Sequence, residues 1–325
     1  MLDAATRTEV QKILDDHDLP NDEMAASDGF ANLVVLTPDH VVRLNEGRFP
    51  HAFRHEATVL NRLPADIPHP VAVATGTRQS GGEYLILERL PGRNLEHAWQ
   101  SLSEPDRIRI VQELGSIMKC LHALPIDDWM HNPWVADVLA TKRWKDAYHV
   151  PLELYPFLLE SAALARPRLR PMLDSVYLFV AARMFAFEPA PNTFIHTDLH
   201  FRNVVVDDGR ITGLIDFEGS RVGARDVGLD MLLRSLATAD DGSSGRYAGT
   251  IAALASTYPE LFSFPNLVAR LEVYEALWHL VQMHHWRPGQ TWMTDPGQHL
   301  EGLMAGRFRV RSGHMLDEAN ESTGS

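Results

Sequence analysis

Apolar runs separated by polar turns give the first part of the chain a strand-like pattern. Residues 33–36 and 41–44 are β-branched apolar runs separated by Thr-Pro-Asp-His, and residues 71–74 and 84–87 repeat the pattern around a Gly-Gly turn. Residues 53–63 instead carry apolar side chains at helical spacing. Runs of this length and composition predict strands. We therefore expect a small antiparallel sheet with one helix inserted between two pairs of strands.

Helical spacing dominates the chain beyond the Leu-Pro-Gly break at residues 90–92. Apolar positions recurring every three or four residues predict helices over residues 103–123, 133–149, 151–165, 170–187, 226–238, 245–256 and 266–286, and a short amphipathic helix precedes the sheet at 6–17. The pattern indicates an α+β fold with a small antiparallel-sheet N-lobe, residues 1–91, and a larger, mainly helical C-lobe, residues 92–311. The polar residues 312–325 have a composition typical of a disordered tail.

One hairpin interrupts the helical half. Residues 204–206 and 211–215 are short apolar runs, and the Asp-Gly between them is a typical hairpin turn. Folding this hairpin brings Asn203 and Asp216 to the same open end, and Asp198 lies on the loop just before it. The sequence therefore predicts three oxygen-bearing side chains at one place.

These three side chains suit phosphoryl transfer. The reaction needs a carboxylate at the acceptor hydroxyl, here Asp198, and oxygen ligands that hold Mg²⁺ on the nucleotide phosphates, here Asn203 and Asp216. The alternative is that they only cap a loop. The histidines at 196 and 200 also have the spacing of a zinc pair on a helix, but a loop before a hairpin lacks that helical face, so we do not expect zinc.

This part of the chain resembles the aminoglycoside phosphotransferase family of small-molecule kinases. The family loop runs His-Gly-Asp-Leu-His-x-x-Asn and is followed by Ile-Asp-Phe/Trp-Glu, and this chain has His-Thr-Asp-Leu-His-Phe-Arg-Asn at 196–203 and Ile-Asp-Phe-Glu at 215–218. Residues 223–230 resemble the Gly-Asp-Pro-x-x-Asp stretch that follows in the family. The resemblance extends over about residues 20–285 and implies a protein-kinase-like two-lobed fold, Mg²⁺, and ATP or GTP as the phosphoryl donor.

The resemblance also implies a set of nucleotide-binding residues, which are Gly29, Asn32, Arg43, Glu56, Glu88 and Leu90. Gly29 and Asn32 match a Gly-x-x-Asn loop over the phosphates. The resemblance implies a cation on the strand at residues 41–44 that contacts the phosphates. None of the four lysines lies on that strand, so Arg43 is the only candidate. Its expected partner is Glu56, and the alternative is a simple edge-strand arginine. The backbone from Glu88 to Leu90 would meet the purine.

The acceptor side is predicted less specifically. Glu218 follows the metal-binding Asp216, and Glu272, Glu275 and His279 fall on one polar stripe of a predicted helix. This stripe is either a solvated face or an acidic wall that holds an amine-rich acceptor. Two further residues are expected to be structural, which are His196 and Asp230. The role of His200 is ambiguous, because the resemblance implies that a histidine is tolerated at this position without being needed for transfer.

Composition indicates which classes of partner and which cellular compartment to expect. A formal net charge of −13 argues against nucleic acid and suits a cationic small molecule, although many cytosolic proteins are acidic for solubility alone. Residues 1–20 are too acidic for a signal peptide, and no apolar run approaches the roughly 20 residues of a membrane span. The single cysteine, Cys120, lies in an apolar stretch and is expected to be a buried structural thiol. We expect a cytoplasmic monomer or homodimer without a membrane partner.

Three functions remain open at this point. The first is a kinase that phosphorylates a hydroxyl of a cationic antibiotic, an aminoglycoside or a peptide of the viomycin or capreomycin type, and so confers resistance. The second is a kinase for a small metabolite such as choline, homoserine or a sugar, which the motifs do not separate from the first. The third is a nucleotide-binding homologue without catalysis, which the presence of Asp198, Asn203 and Asp216 argues against.

Overall fold

The computed structural model describes residues 2–21, 23–27, 32–45, 51–133, 155–187, 192–238, 247–285 and 295–307. The predictions made for Gly29, for the helical residues 134–149 and for the tail from residue 312 lie outside these ranges.

The N-terminal sheet has five antiparallel strands in the order β1-β2-β3-β5-β4. The strands are β1 (Ala25–Ser27), β2 (Leu33–Leu36), β3 (His40–Leu44), β4 (Ala72–Thr77) and β5 (Glu83–Glu88). Four of them are the predicted ones. The three residues of β1 lack an apolar run and were not predicted, and β1 forms only by pairing with β2.

Two helices flank this sheet, α1 (Ala4–Asp15) and α2 (Ala52–Leu60). Asp3 caps the N-terminus of α1, because its carboxylate accepts a hydrogen bond from the backbone N–H of Thr6. Helix α2 begins beside β5, where the carboxylate of Glu83 accepts the N–H of Phe53 over 3.1 Å. This bond supplies a negative charge at the helix N-terminus, which stabilises the helix and fixes where it starts relative to the sheet.

The C-terminal part is mainly helical. Its helices are α3 (Leu95–Ala98), α4 (Glu104–His122), α5 (Tyr155–Ala165), α6 (Arg170–Ala181), α7 (Asp226–Thr238), α8 (Thr250–Thr257), α9 (Leu267–His285) and α10 (Pro296–Met304). The predicted helix 170–187 ends earlier, at Ala181, and a 3-10 turn follows over Met184–Phe187. Helix α10 was not predicted. The arrangement confirms the two-lobed α+β fold.

Two small sheets hold the loops that carry the predicted chemistry. The strands are β6 (Arg93–Asn94), β7 (Thr193–Ile195), β8 (Val204–Asp207), β9 (Arg210–Leu214) and β10 (Arg221–Gly223). The predicted hairpin is β8 and β9, and β6 joins its outer side. Strand β7 pairs with β10, with Ile195 opposite Arg221. Because these strands enter and leave the two loops, the loops at 196–203 and 215–220 lie side by side.

The main hydrophobic core continues from one lobe into the other. One cluster of buried side chains includes Phe53 of α2, Leu85 of β5, Leu114 of α4 and Phe194 of β7. A second cluster lies among α5, α6, α9 and α10. Burying a large apolar side chain contributes about 2 kcal/mol each, so the shared core holds α2 close to the C-terminal loops.

Two further expectations can be compared with the structure. Cys120 is exposed, so the prediction of a buried thiol is wrong. The buried stripe of α4 runs through Ile117, Met118 and Leu121, and position 120 falls outside it. Among the described residues, none of the helices combines the length and the apolar character needed to cross a membrane.

Candidate active site

Aromatic side chains anchor the loop at 196–203 in the core. Phe201 is buried against Trp99 and Tyr247, with ring centroids 4.9 Å and 5.4 Å away. Leu199 is buried as well. With both residues in the core, the backbone of the loop is fixed on either side of His200.

Asp198 is oriented by the asparagine five residues later. The amide nitrogen of Asn203 donates to the backbone oxygen of Asp198 over 2.8 Å and to its carboxylate Oδ2 over 3.3 Å. The side chain of Asp198 keeps 32% of its surface exposed. A carboxylate that is both held and accessible is what a hydroxyl acceptor needs from a proton-accepting group.

The hairpin brings Asp216 to the same place. The N–H of Ile215 donates to the backbone oxygen of Asn203 over 3.0 Å, and Asp216 follows with left-handed backbone angles of φ 70° and ψ 56°. His196 donates from Nε2 to the backbone oxygen of Ile215 over 2.9 Å. Burial lowers the pKa of His196, so its ring is neutral at pH 7. These backbone bonds hold the two loops together at the predicted site.

Arg43 lies at the centre of three carboxylates. Its Nη1 is 2.5 Å from Oε2 of Glu56, and its Nη2 is 2.8 Å from Asp216 and 2.9 Å from Glu218. Arg43 and Glu56 are both buried. Glu56 also accepts the backbone N–H of Phe217 over 3.1 Å. Strand β3, helix α2 and the 216–218 loop therefore meet through one guanidinium.

The three carboxylates outnumber the single cation. One oxygen from each of Glu56, Asp216 and Glu218 lies within 4.8 Å of the others. Burial, reinforced by the charge of Asp216, raises the pKa of Glu218 to about 8. Burial also raises the pKa of Glu56 to about 7, against the opposing charge of Arg43. A cluster of carboxylate oxygens with surplus negative charge suits a hard divalent cation.

Glu218 and Asn32 make a contact that the sequence did not predict. The amide of Asn32, at the start of β2, donates to Oε2 of Glu218 over 2.9 Å. The sequence predicted that Glu218 binds the acceptor and that Asn32 binds the nucleotide. The structure joins them to each other, so the residue just before β2 contacts the loop at 216–218.

Two residues that hold the loop at 215–220 in place were not predicted. His55, next to Glu56 on α2, donates from Nε2 to the backbone oxygen of Ser220 over 2.8 Å. Asn132 donates to the backbone oxygens of Glu218 and Ser220 over 3.0 and 3.1 Å. Both clamp the loop after Asp216. No local motif signals them, because each partner is more than 80 residues away in the chain.

The segment predicted to meet the purine leaves β5. The N–H of Glu88 donates to the backbone oxygen of Val71 over 2.9 Å, and the N–H of Arg89 donates to Asp39 over 2.8 Å. These bonds fix the backbone just before Leu90. A purine-binding role for Glu88 and Leu90 stays a prediction.

The polar stripe of α9 is buried, so the interpretation as a solvated face is wrong. Glu272 is 1% exposed and pairs with Nε of Arg183 over 2.5 Å. Glu275 pairs with Arg234 and accepts a hydrogen bond from Nε2 of His279 over 3.0 Å. Each carboxylate thus already has an arginine as its ionic partner. Their role in acceptor binding stays a prediction.

Asp230 belongs to the same ion-pair network. Its Oδ2 is 2.5 Å from Nη2 of Arg234. Burial raises the pKa of Asp230 to about 6, against the attraction of Arg234. On the same helix, Asp226 forms two bonds of 2.6 and 2.9 Å with the buried Arg270 of α9. These pairs fasten α7 to α9.

Comparisons with known proteins agree with this geometry. The model of a family described as "Phosphotransferase enzyme family" (APH) matches residues 24–264. The match includes the sheet, α2 and both loops of the site. No curated protein sequence matches the chain.

Solved structures of aminoglycoside phosphotransferases have the same fold. The ADP-bound structure of APH(2'')-Ib shares 19% identity, with 94% of this chain and 99% of that chain covered and a TM-score of 0.65. The GDP complex of wild-type aminoglycoside 2'-phosphotransferase-IIIa shares 17% identity over 93% and 99%, also with a TM-score of 0.65. The streptomycin-ATP-APH(2")-IIa ternary complex shares 19% over 88% and 93%, with a TM-score of 0.62. The likeness shows a protein-kinase-like two-lobed fold.

Proposed function

Because this chain belongs to the phosphotransferase enzyme family and is an O-phosphotransferase, we propose that it transfers the γ-phosphoryl group of ATP or GTP to a hydroxyl of a cationic antibiotic. The observation that carries the catalytic part is the Asp198 carboxylate, which is held by Asn203 beside Asp216 and is still accessible.

Asp198 is the catalytic residue of this proposal. It orients the acceptor hydroxyl and accepts its proton while the hydroxyl oxygen forms a bond to the γ-phosphorus. The bond between the γ-phosphorus and the bridging oxygen breaks, and the nucleoside diphosphate leaves with that oxygen. No phosphoenzyme forms, since the acceptor oxygen attacks directly. Positioning of the two substrates then accounts for most of the rate.

Asn203 and Asp216 are the proposed Mg²⁺ ligands. The donor set fits, because an amide oxygen and a carboxylate are hard ligands and the cluster around Asp216 carries more negative charge than Arg43 neutralises. Bound Mg²⁺ would supply charge neutralisation on the phosphates. Glu56 and Glu218 would keep Arg43 in place when Asp216 turns toward the metal.

The nucleotide is proposed to lie between β2, β3 and the end of β5. Arg43 would offer its guanidinium to the phosphates, and Glu56 would position it. Gly29 and Asn32 would cover the phosphates, while Glu88 and Leu90 would contact the purine through their backbone. Support comes from the structures named above, which are complexes with ADP, GDP or ATP.

Two observations support a cationic antibiotic as the acceptor. The chain has a net charge of −13, which attracts polyamines. Structures with the same fold are named as complexes with streptomycin, gentamicin, kanamycin or hygromycin B. Aminoglycosides are therefore the first class to test and peptides of the viomycin and capreomycin type the second. Such an activity would confer resistance on a cell.

A small metabolite is the second candidate acceptor, and one observation favours it. The carboxylates predicted to hold an amine-rich antibiotic, Glu272 and Glu275, are buried and already paired with Arg183 and Arg234. An open acidic wall is thus not formed by these residues. A kinase for choline, homoserine or a sugar needs no such wall.

Steady-state kinetics with separate acceptors distinguishes the two candidates. Release of nucleoside diphosphate would be measured with ATP or GTP, Mg²⁺ and each antibiotic or metabolite in turn. We expect an aminoglycoside or cyclic peptide to give a kcat/KM at least 100-fold above that of any metabolite. A metabolite with the highest kcat/KM would overturn the antibiotic assignment and leave the phosphotransferase assignment intact.

A further inference from the structure

His200 lies against the catalytic carboxylate on the side opposite Asn203. Its Nε2 is 3.5 Å from Oδ1 of Asp198. Asn203 approaches the other oxygen, Oδ2, over 3.3 Å. The two oxygens of the carboxylate therefore have different neighbours, a ring nitrogen on one side and an amide nitrogen on the other.

The backbone of the same loop determines which ring nitrogen of His200 carries the proton. The N–H of Arg202 donates to Nδ1 of His200 over 3.2 Å. A ring nitrogen that accepts a hydrogen bond has no proton of its own, so the proton of the neutral ring is on Nε2. The nitrogen of His200 that carries the N–H is thus the one that lies 3.5 Å from Oδ1 of Asp198.

Arg202, whose backbone N–H donates to His200, is itself held by a salt bridge on the adjacent surface. The guanidinium of Arg202 forms two bonds with Glu96 of α3, of 2.6 and 3.1 Å. This pair restrains the backbone at residue 202, whose N–H orients the ring. The contacts form a chain from Glu96 through Arg202 and His200 to Asp198.

We propose that His200 is a positioning residue for the phosphoryl transfer, because its Nε2–H restrains Oδ1 of Asp198 while Asn203 restrains Oδ2. The inference rests on the proposed function of Asp198. Each carboxylate oxygen can accept two hydrogen bonds, so both restraints leave room for the acceptor hydroxyl. Without His200 the carboxylate can rotate about its side-chain bonds. A misplacement of about 1 Å in such a group costs on the order of 100-fold in rate.

Two variants of similar size separate positioning from packing. His200→Leu fills much of the space of the ring and removes the N–H. His200→Gln restores one donor and one acceptor, the pair of groups that the neutral ring uses. His97→Leu, at an exposed histidine of α3, is the control for loss of a surface imidazole. Each variant is the full-length chain.

The readouts are kcat, the KM for the nucleotide, and Tm. We expect His200→Leu to lower kcat by 10- to 100-fold with the nucleotide KM within threefold and Tm within about 2 °C of the wild type. His200→Gln should recover at least a third of the lost kcat, and His97→Leu should match the wild type. A His200→Leu kcat within twofold of the wild type would overturn the inference, as would a loss that His200→Gln does not repair. If the wild type itself transfers no phosphoryl group to any acceptor, it is the proposed function that fails.

Discussion

The guanidinium of Arg43 lies 2.5 Å from the carboxylate of Glu56, and both side chains are buried. The bond joins strand β3 to helix α2 directly under the loop that carries Asp216. An arginine can serve three carboxylates at once because its planar fork has five donors, whereas a lysine ammonium has three donors at one point. This explains how an ion pair with Glu56 forms although β3 has no lysine.

Replacing Arg43 by methionine should strongly destabilise the fold. It would leave the carboxylate of Glu56, which has no exposed surface, without its cationic partner. Breaking a buried ion pair from one side costs about 3–5 kcal/mol. Urea denaturation would measure the free energy of unfolding. Arg43→Lys should lose less than half as much, since an ammonium can still reach Glu56. Equal losses in the two variants would contradict the assigned pairing.

Gly219 is predicted to tolerate no side chain while Thr197 is present. A Cβ built at Gly219 would lie 2.6 Å from Oγ1 of Thr197 but 3.9 Å from its Cβ. The hydroxyl of Thr197 is fully buried and has no hydrogen-bond partner in the part of the chain that the structure describes. Gly219→Ala should therefore push the loop at 196–203 away from the loop at 215–220 and lower kcat by at least tenfold.

Removing the hydroxyl of residue 197 should relieve this clash. Gly219→Ala combined with Thr197→Ala should regain most of the lost kcat, because the nearest remaining atom is the Cβ of residue 197. Gly219→Ala with Thr197→Ser keeps the oxygen and is the matched control, so it should stay impaired. Recovery with serine as well as with alanine would show that the oxygen is not the obstacle.

The acid stability of the fold should depend on His122. Burial, aided by the charge of Arg225, lowers the pKa of His122 to about 3. Its pKa in the unfolded chain is about 6.5, so the unfolded chain binds the proton first and stability falls as pH falls below 6.5. Between pH 6.5 and pH 5 the loss is roughly 1 to 2 kcal/mol. In His122→Gln the fall in Tm over this range should be smaller, and an unchanged slope of Tm against pH would contradict the assignment.

Glu272 is expected to matter for stability more than for acceptor binding. It is buried against Arg183, and Glu272→Gln would leave that arginine with a neutral partner. We expect a lower Tm and an acceptor KM within threefold of the wild type. Glu301, an exposed residue of α10, offers a matched control in Glu301→Gln, which should change neither quantity. A tenfold rise in acceptor KM at unchanged Tm would instead support the acidic-wall prediction.

The sequence was sufficient for the lobes and for the central hairpin. Long apolar runs such as 33–36 predict their strands without help from the rest of the chain, and the spacing in 226–238 predicts α7, which begins at Asp226. Three-residue strands such as β1 and β10 have no such pattern of their own. They form because a partner strand is already in place, and local periodicity does not contain that information.

The limits at the site have the same cause. The positions of Asp198 and Asn203 follow from a local loop and a hairpin, so their proximity was predictable. The clamps made by His55 and Asn132 depend on tertiary approach of distant segments and were missed. The stripe at Glu272 has the pattern of a surface helix face, but arginines from distant segments of the chain, Arg183 and Arg234, pair with its carboxylates. Periodicity shows which residues share a face and leaves open what covers that face.

Mass spectrometry of acceptors incubated with the wild type and with Asp198→Asn tests the central claim most directly. A pooled set of antibiotics and metabolites would be incubated with enzyme, Mg²⁺ and ATP or GTP. The Tm and the nucleotide affinity of Asp198→Asn would first be shown to equal those of the wild type. The account predicts one compound that gains a single phosphoryl group with the wild type, and a rate about 1,000-fold lower with Asp198→Asn. An Asp198→Asn variant that phosphorylates the same compound at the wild-type rate would contradict it.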